Sequence, residues 1–309
     1  MEIFRFQAAE NPVYRSFLEA LRLDPAGVGR LEEIPCLPVR FFRDRPVVTT
    51  VFEPAFVFES SGTTGSVLSR HFIKDPALYR ESFTRGFEGG YGPVQDWCIL
   101  GLLPSYLERK TSSLVFMVNE LIRQSGHPQS GFYLHELEIL SALLRELNDK
   151  KQKTLLIGVS FALLDLAEQY PQALPNITFM ETGGMKGRRV ELVREELHKI
   201  LQTAFAVKSI HSEYGMTELL SQAYSTGQGL FHCPPWMKVL VRDDEDPFSV
   251  LRTGNGIINV IDLANKYSCS FLATDDAGRL HPDGSFEVLG RVDGSDIRGC
   301  NMMVAKMGT

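Results

Sequence analysis

The stretch TLLIGVSFALLDLAEQYPQALPNITFM, residues 154–180, decides the fold class. Thr154 to Val159 is a short apolar run of strand length. Phe161 to Gln169 carries apolar residues at helical spacing and stops before Pro171. Ile177 to Met180 is strand-like again and runs toward Gly183-Gly184. The alternation continues outward. Trp97 to Leu103 reads as a strand, Thr111 to Gln124 and His135 to Leu147 as helices, and Val190 to Thr203 as a helix. Ala204 to Val207 then leads by a strand toward Tyr214. Strands alternating with helices predict an α/β sheet with crossover helices. After about residue 230 the pattern turns β-rich, with strands expected at Lys238–Val241, Gly256–Ile261 and Ser285–Leu289. Pro282-Asp283-Gly284 is a turn in which glycine supplies positive φ. Residues 17–23 have helical spacing, whereas Ile34 to Val39 is extended, because Pro35 and Pro38 bias their predecessors away from helix. The expectation is a single domain, with an α/β part over about 1–230 and a β-rich part over about 231–309.

Composition sets the class. The 309 residues are 44% hydrophobic and 23% charged, with a net charge of −6, so the chain is globular and suited neither to wholesale nucleic-acid binding nor to disorder. No run of eighteen apolar residues exists, so no membrane span is expected. Met1-Glu2-Ile3-Phe4-Arg5-Phe6 lacks the basic start and apolar run of a signal peptide. The five cysteines are scattered, with no C-x-x-C pair, which argues against a disulfide framework or a zinc site and fits a reducing cytoplasm.

Three sparse motifs carry the chemistry. Ser60-Ser61-Gly62-Thr63-Thr64-Gly65 follows the predicted strand Phe56–Glu59. Its hydroxyls and amides suit phosphate oxygens, and Gly62 and Gly65 let the backbone approach an anion. It is neither a Walker-type loop nor a dinucleotide fingerprint, and a polar turn between strand and helix is the alternative reading. In Tyr214-Gly215-Met216-Thr217-Glu218, a strand over Ala206–Ile210 and a helix from Glu218 onward would place Thr217 and Glu218 at a helix start facing a sheet end. A carboxylate there suits Mg²⁺, and equally a helix cap. In Thr274-Asp275-Asp276, Asp276 at a strand end can accept both hydroxyls of a ribose, and Gly290-Arg291 adds a cation at the end of another strand. Asp275 reads as solvated.

In this order the motifs resemble the adenylate-forming superfamily of acyl-CoA synthetases, adenylation domains and luciferases. The resemblance implies ATP and Mg²⁺. It assigns Ser60, Ser61, Gly62, Thr63, Thr64 and Gly65 to the phosphates and Thr217 to the α-phosphate. It also assigns Glu218 to the metal, Asp276 and Arg291 to the ribose, and Gly183 and Gly184 to the adenine, with Tyr214 and Gly215 completing the nucleotide site. Two departures stand out. The phosphate loop continues Ser66-Val67-Leu68-Ser69-Arg70-His71, where the family has Pro-Lys. Only nine residues follow Cys300, so the family's mobile C-terminal domain, with its adenylation lysine, is expected to be lacking and Asp293 has no hinge role. Within the superfamily the chain resembles LuxE-type acyl-protein synthetases, through Tyr214–Leu219 with Ser221–Tyr224 and through Arg298-Gly299-Cys300. That branch implies activation of a fatty acid, transfer of the acyl group to Cys300, and supply of a fatty-acid reductase or another acyl-accepting protein. An acyl- or aryl-CoA ligase and a degenerate nucleotide-binding subunit remain the alternatives. Arg70 and His71 read either as pyrophosphate contacts or as a surface pair.

Overall fold

The structure is a computed structural model and describes residues 1–60, 67–103, 111–134, 136–183 and 192–292. An N-terminal segment comprises α1 (Glu2–Glu10), α2 (Pro12–Ala20), β1 (Leu37–Pro38) and α3 (Phe41–Asp44). The hairpin β2 (Phe56–Glu59) and β3 (Arg70–Ile73) leads to α4 (Pro76–Tyr91). The α/β layer is β4 (Cys98–Leu102), α5 (Ser113–Ser125), β5 (Gly131–Phe132), α6 (Leu137–Asp149), β6 (Thr154–Val159), α7 (Ser160–Gln169), β7 (Ile177–Thr182), α8 (Arg194–Phe205), β8 (His211–Tyr214) and β9 (Ala223–Ser225). The β-rich part is β10 (Leu230–Phe231), β11 (Met237–Arg242), β12 (Val250–Leu251), β13 (Gly254–Asp262), β14 (Phe271–Leu280) and β15 (Phe286–Arg291).

Local chemistry explains the boundaries. Asp75 caps α4 by accepting the Ala77 N–H at 2.9 Å, Pro76 occupies the first turn, and Gly92 at φ 80° ends the helix. Gly126, at φ 62°, ends α5 in the left-handed conformation. The strands β4 and β6 are buried at every position, as expected of parallel strands covered on both faces. The first sheet runs β5-β4-β6-β7-β8-β9, parallel except for β9. The second runs β10-β15-β14-β13-β11-β12, is antiparallel, and takes β1 as a parallel neighbour of β14. The predicted alternation from Trp97 to Thr203 is present, and so are the three predicted β-rich strands.

Each sheet has its own apolar core. Phe83, Leu100, Leu156, Phe179 and Phe205 belong to the first. Phe4, Tyr14, Phe42, Val260 and Phe271 belong to the second, so the N-terminal helices pack on the β-rich sheet. Phe271 meets Phe4 edge-on at 5.8 Å and stacks on Tyr14 at 6.2 Å. Buried amides fix this packing. The Gln7 side chain donates to the carbonyls of Asn265 and Lys266 at 3.0 Å each, and the Asn11 side chain donates to the Ser268 carbonyl at 2.9 Å.

Three local expectations fail. The strand expected at Ala206–Ile210 is instead β8, four residues later in its end point, because Ala206 at φ 51° terminates α8. No helix starts at Glu218, where the chain turns and enters β9. The glycine loop joins two antiparallel strands, with Phe58 opposite His71, and not a strand to a helix.

Asn11 caps α2 through the Tyr14 N–H and pins Ser268, all in a buried setting. Asn11→Ala is therefore expected to lower the unfolding free energy by about 2 kcal/mol. Urea unfolding reads this as a lower midpoint at unchanged slope.

Candidate functional site

The chain from β8 to β9 lies on the seam between the two cores. Tyr214, Leu219 and Ala223 pack into the β-rich core, and Leu220 and Tyr224 into the α/β core. This segment is gripped by a polar clamp. The Asp262 carboxylate accepts the Leu220 N–H at 2.8 Å, the Ser221 hydroxyl at 2.6 Å and the Ala264 N–H at 3.1 Å. The Asn265 amide donates to the Glu218 carbonyl at 2.6 Å. His71 on β3 donates through Nδ1 to the Thr217 carbonyl at 2.8 Å, which fixes its tautomer. Burial pushes His71 down to about 4, so the ring is neutral at pH 7. It therefore points inward and is neither the pyrophosphate contact nor the surface residue that the sequence suggested. Trp236 Nε1 donates to Ser82 and Ser221 at 2.9 and 3.1 Å and ties α4 to the same turn.

Two of the sequence motifs meet directly. The Tyr214 hydroxyl donates to Asp276 Oδ2 at 2.9 Å. Asp276 lies opposite Arg291 across the β14–β15 ladder. Burial raises the Asp276 carboxyl, while the Tyr214 hydrogen bond and the Arg291 charge oppose that rise. Arg291 is exposed, and so is Asp275, as expected of a solvated residue.

The third motif joins through the hairpin base. Ser60 N–H donates to the Ser69 carbonyl, and Ser69 N–H donates to the Ser60 hydroxyl, each at 3.0 Å. The Ser69 hydroxyl hydrogen-bonds the Glu218 carboxylate. Glu218 is only 6% exposed, and burial raises its carboxyl above the usual range. Ser69, the Ser60 base, Glu218, Arg291, Asp276 and Tyr214 thus form one chain of neighbours. Gly183, at φ 68°, follows Thr182, the register partner of Glu213, and its carbonyl accepts the Ser160 hydroxyl at 2.6 Å. That places Gly183 beside Tyr214 at the carboxyl ends of β7 and β8, where open α/β sheets bind ligands. Thr217 is half-buried in the clamped turn. Gly215 is not held at a positive φ, and a side chain there would force the Glu213 carboxylate to shift.

Sequence reasoning missed Glu213, Ser69, Asp262 and Asn265. Glu213 accepts the Thr182 hydroxyl at 2.5 Å, and burial, helped by Glu181, pushes its carboxyl up to about 7. A buried acid in a strand gives no periodic signal, and Asp262 and Asn265 act on the Glu218 turn across more than forty residues. Ser61, Gly62, Thr63, Thr64, Gly65, Gly184 and Cys300 lie outside the described residues. Among the described residues no cluster of three His, Cys, Asp or Glu could hold a metal, and no helix is long and apolar enough to cross a membrane.

No family model and no curated protein sequence matches this chain. Solved structures do. ATP-bound MatB from Rhodopseudomonas palustris aligns with a TM-score of 0.59 at 17% identity, covering 79% of this chain and 50% of that one. The luciferase-like enzyme from the nonluminescent mealworm Zophobas morio aligns with a TM-score of 0.54 at 16% identity, covering 80% and 59%. O-succinylbenzoate coenzyme A synthetase from Bacillus subtilis, in complex with ATP and magnesium, gives 0.51 at 19% identity, covering 77% and 50%. The chain spans about half the length of the first of these structures. Its fold is that of the large N-terminal domain of adenylate-forming enzymes, the fold class expected from the sequence.

Glu213 generates a pH prediction. Its folded pKa of about 7 exceeds the ordinary 4.5, so its contribution to stability is present below 4.5 and is lost as pH rises through about 7. Glu181, Thr182, Tyr79 and Tyr224 face it, and no cation is among the groups that shift it. Between pH 5 and pH 8, Glu213→Gln should gain about 2–4 °C in Tm relative to the wild type. Thermal melts across that range test it, and parallel pH profiles for the two proteins would contradict it.

Proposed function

We propose that this chain activates a carboxylic acid with ATP. A carboxylate oxygen attacks the α-phosphorus, the bond to pyrophosphate breaks, and an acyl-adenylate forms. The thiolate of Cys300 then attacks the acyl carbon and the bond to AMP breaks, which leaves an acyl thioester; the thiol proton passes to solvent. This is the reaction of a LuxE-type acyl-protein synthetase, with a fatty acid as substrate and a reductase or other acyl-accepting protein downstream. The observation that carries the reading is the convergence of Glu218, Asp276, Tyr214, Arg291 and the Ser60–Ser69 hairpin base on one seam.

Each residue has a role in this reading. Asp276, oriented by the Tyr214 hydroxyl, accepts the ribose hydroxyls, with Arg291 beside it. Gly183 and Gly184 flank the adenine. The hydroxyls and amides of Ser60–Gly65 hold phosphate oxygens, and Thr217 presents its hydroxyl to the α-phosphate. Glu218 fits Mg²⁺. It is a single buried carboxylate beside a hydroxyl, and Mg²⁺ takes one or two carboxylates and completes its shell with phosphate and water. When bound, the ion offsets charge developing on the phosphates. The four described cysteines, Cys36, Cys98, Cys233 and Cys269, are free thiols whose pKa burial raises, to about 12, 11 and 12 in the first three. They are poor nucleophiles, which supports Cys300 as the acceptor in a reducing cytoplasm.

Intact mass after incubation with Mg·ATP and mixed fatty acids tests this. A hydroxylamine-sensitive acyl adduct on Cys300 is expected. Cys300→Ser should abolish the adduct and keep pyrophosphate release within about twofold, whereas Glu218→Gln should lower release by about 10²-fold or more. Pyrophosphate release without any adduct would point to coenzyme A as acceptor, as the shared fold of the B. subtilis synthetase allows. No adduct and no pyrophosphate would leave a nucleotide-binding subunit.

A further inference from the structure

β15 brings Arg291 opposite Asp276 through an irregular stretch, and a residue outside the three motifs holds that stretch. The ladder to β14 shifts register there. Gly278 faces Val288 but Ala277 faces Gly290, so Leu289 is an extra residue on β15. On its outer edge β15 loses its strand neighbour at the same point. β10 pairs Phe231 with Phe286 and Leu230 with Glu287, and the residue before Leu230, Gly229, has φ 68° and leaves the strand. Arg194, the first residue of α8, stands in that place. Its Nη1 donates to the Val288 carbonyl at 3.0 Å. Its stem lies against Gly229, where an added Cβ would stand 3.3 Å from Arg194 Cδ, and its guanidinium lies over the Phe231 ring at 5.1 Å. Arg194 Nε reaches the Glu181 carboxylate on β7 at 3.4 Å. Glu181 is buried, also faces His198 Nε2 at 3.6 Å, and precedes Gly183 by two residues.

A bulge disrupts the ladder locally, so the residues beyond it are held less firmly unless something else fixes them. A planar guanidinium does this well, because its separate N–H groups hold two acceptors at a set spacing. We infer that Arg194 is a positioning residue: by joining the Val288 carbonyl to the buried Glu181 carboxylate, it fixes β15 beyond the bulge and so holds Arg291 opposite Asp276 to receive the ribose. Arg194 itself touches no nucleotide in this assignment. The inference rests on the proposed ribose role of Asp276 and Arg291. Glu181 belongs to the α/β sheet and Val288 to the β-rich sheet, so the same side chain ties the Asp276–Arg291 pair to the strand end that carries Gly183. A lysine offers a single ammonium at the end of its stem and cannot hold both acceptors in the same way.

Calorimetric titration of AMP into the full chain tests it through a double-mutant cycle with Arg291. Arg194→Ala and Arg291→Ala are each expected to weaken AMP by about 10-fold, and the double variant to bind within about twofold of Arg291→Ala alone. Hydrogen–deuterium exchange of the ligand-free protein reads the strand directly, and Arg194→Ala should speed exchange at Leu289–Arg291 by about 10-fold. Arg194→Lys keeps a cation beside Glu181 and is expected to fold with an unchanged melting curve; it should show the same faster exchange, and it carries the comparison if Arg194→Ala does not fold. Losses that multiply in the double variant would mean that Arg194 does not act through Arg291. That result, or unchanged exchange at Leu289–Arg291, or unchanged AMP affinity in both Arg194 variants while Arg291→Ala weakens it, overturns the inference alone. Unchanged affinity in Arg291→Ala would sink the ribose assignment and the inference with it. Wild-type protein that binds neither AMP nor ATP would overturn the proposed function as well.

Discussion

The grip of Asp262 and Asn265 on the turn after Tyr214 is the constraint on which the rest depends. A buried carboxylate is tolerated only when it is hydrogen-bonded, and Asp262 takes two backbone N–H groups and a hydroxyl. Asn265 adds the Glu218 carbonyl, and His71 adds the Thr217 carbonyl from the far side. Removal of one partner would leave the others buried and unpaired, which costs more than the bond itself. The position of the turn fixes Glu218 relative to both sheets, and hence relative to Asp276 and the glycine hairpin.

The same constraint explains what was legible in the sequence. The apolar runs at Thr154–Val159 and Ile177–Met180 have one structural solution, a covered parallel strand, and they appear as β6 and β7. The strands at Lys238–Val241 and Gly256–Ile261 likewise follow from local pattern. The helix expected from Glu218 does not form; the chain turns there, and Asn265 takes the Glu218 carbonyl that a helix would use for its own first hydrogen bond. The topology around the glycine loop was not legible, since the run Arg70–Ile73 that pairs with Phe56–Glu59 is too short to distinguish from a helix start.

The candidate site divides the same way. Tyr214, Glu218, Asp276 and Arg291 carry a motif, and the fold brings them together. Glu213 and Ser69 carry none. Each is recognised only by its neighbours: Glu213 by Thr182 across the β7–β8 pair, and Ser69 by Ser60 across the hairpin. Distant segments thus bring the Ser69 hydroxyl and the Arg291 charge to bear on Glu218, whose charged form burial makes costly.

The central claim is that the seam between the two sheets is where nucleotide binds. Hydrogen–deuterium exchange with and without Mg·ATP tests it most directly. Slowed exchange is predicted at the Ser69–His71 strand, the Tyr214–Gln222 turn and the Asp275–Gly278 and Val288–Arg291 strands, with α6 and α7 unchanged. Protection confined to segments away from this seam, or none at saturating Mg·ATP, would contradict it.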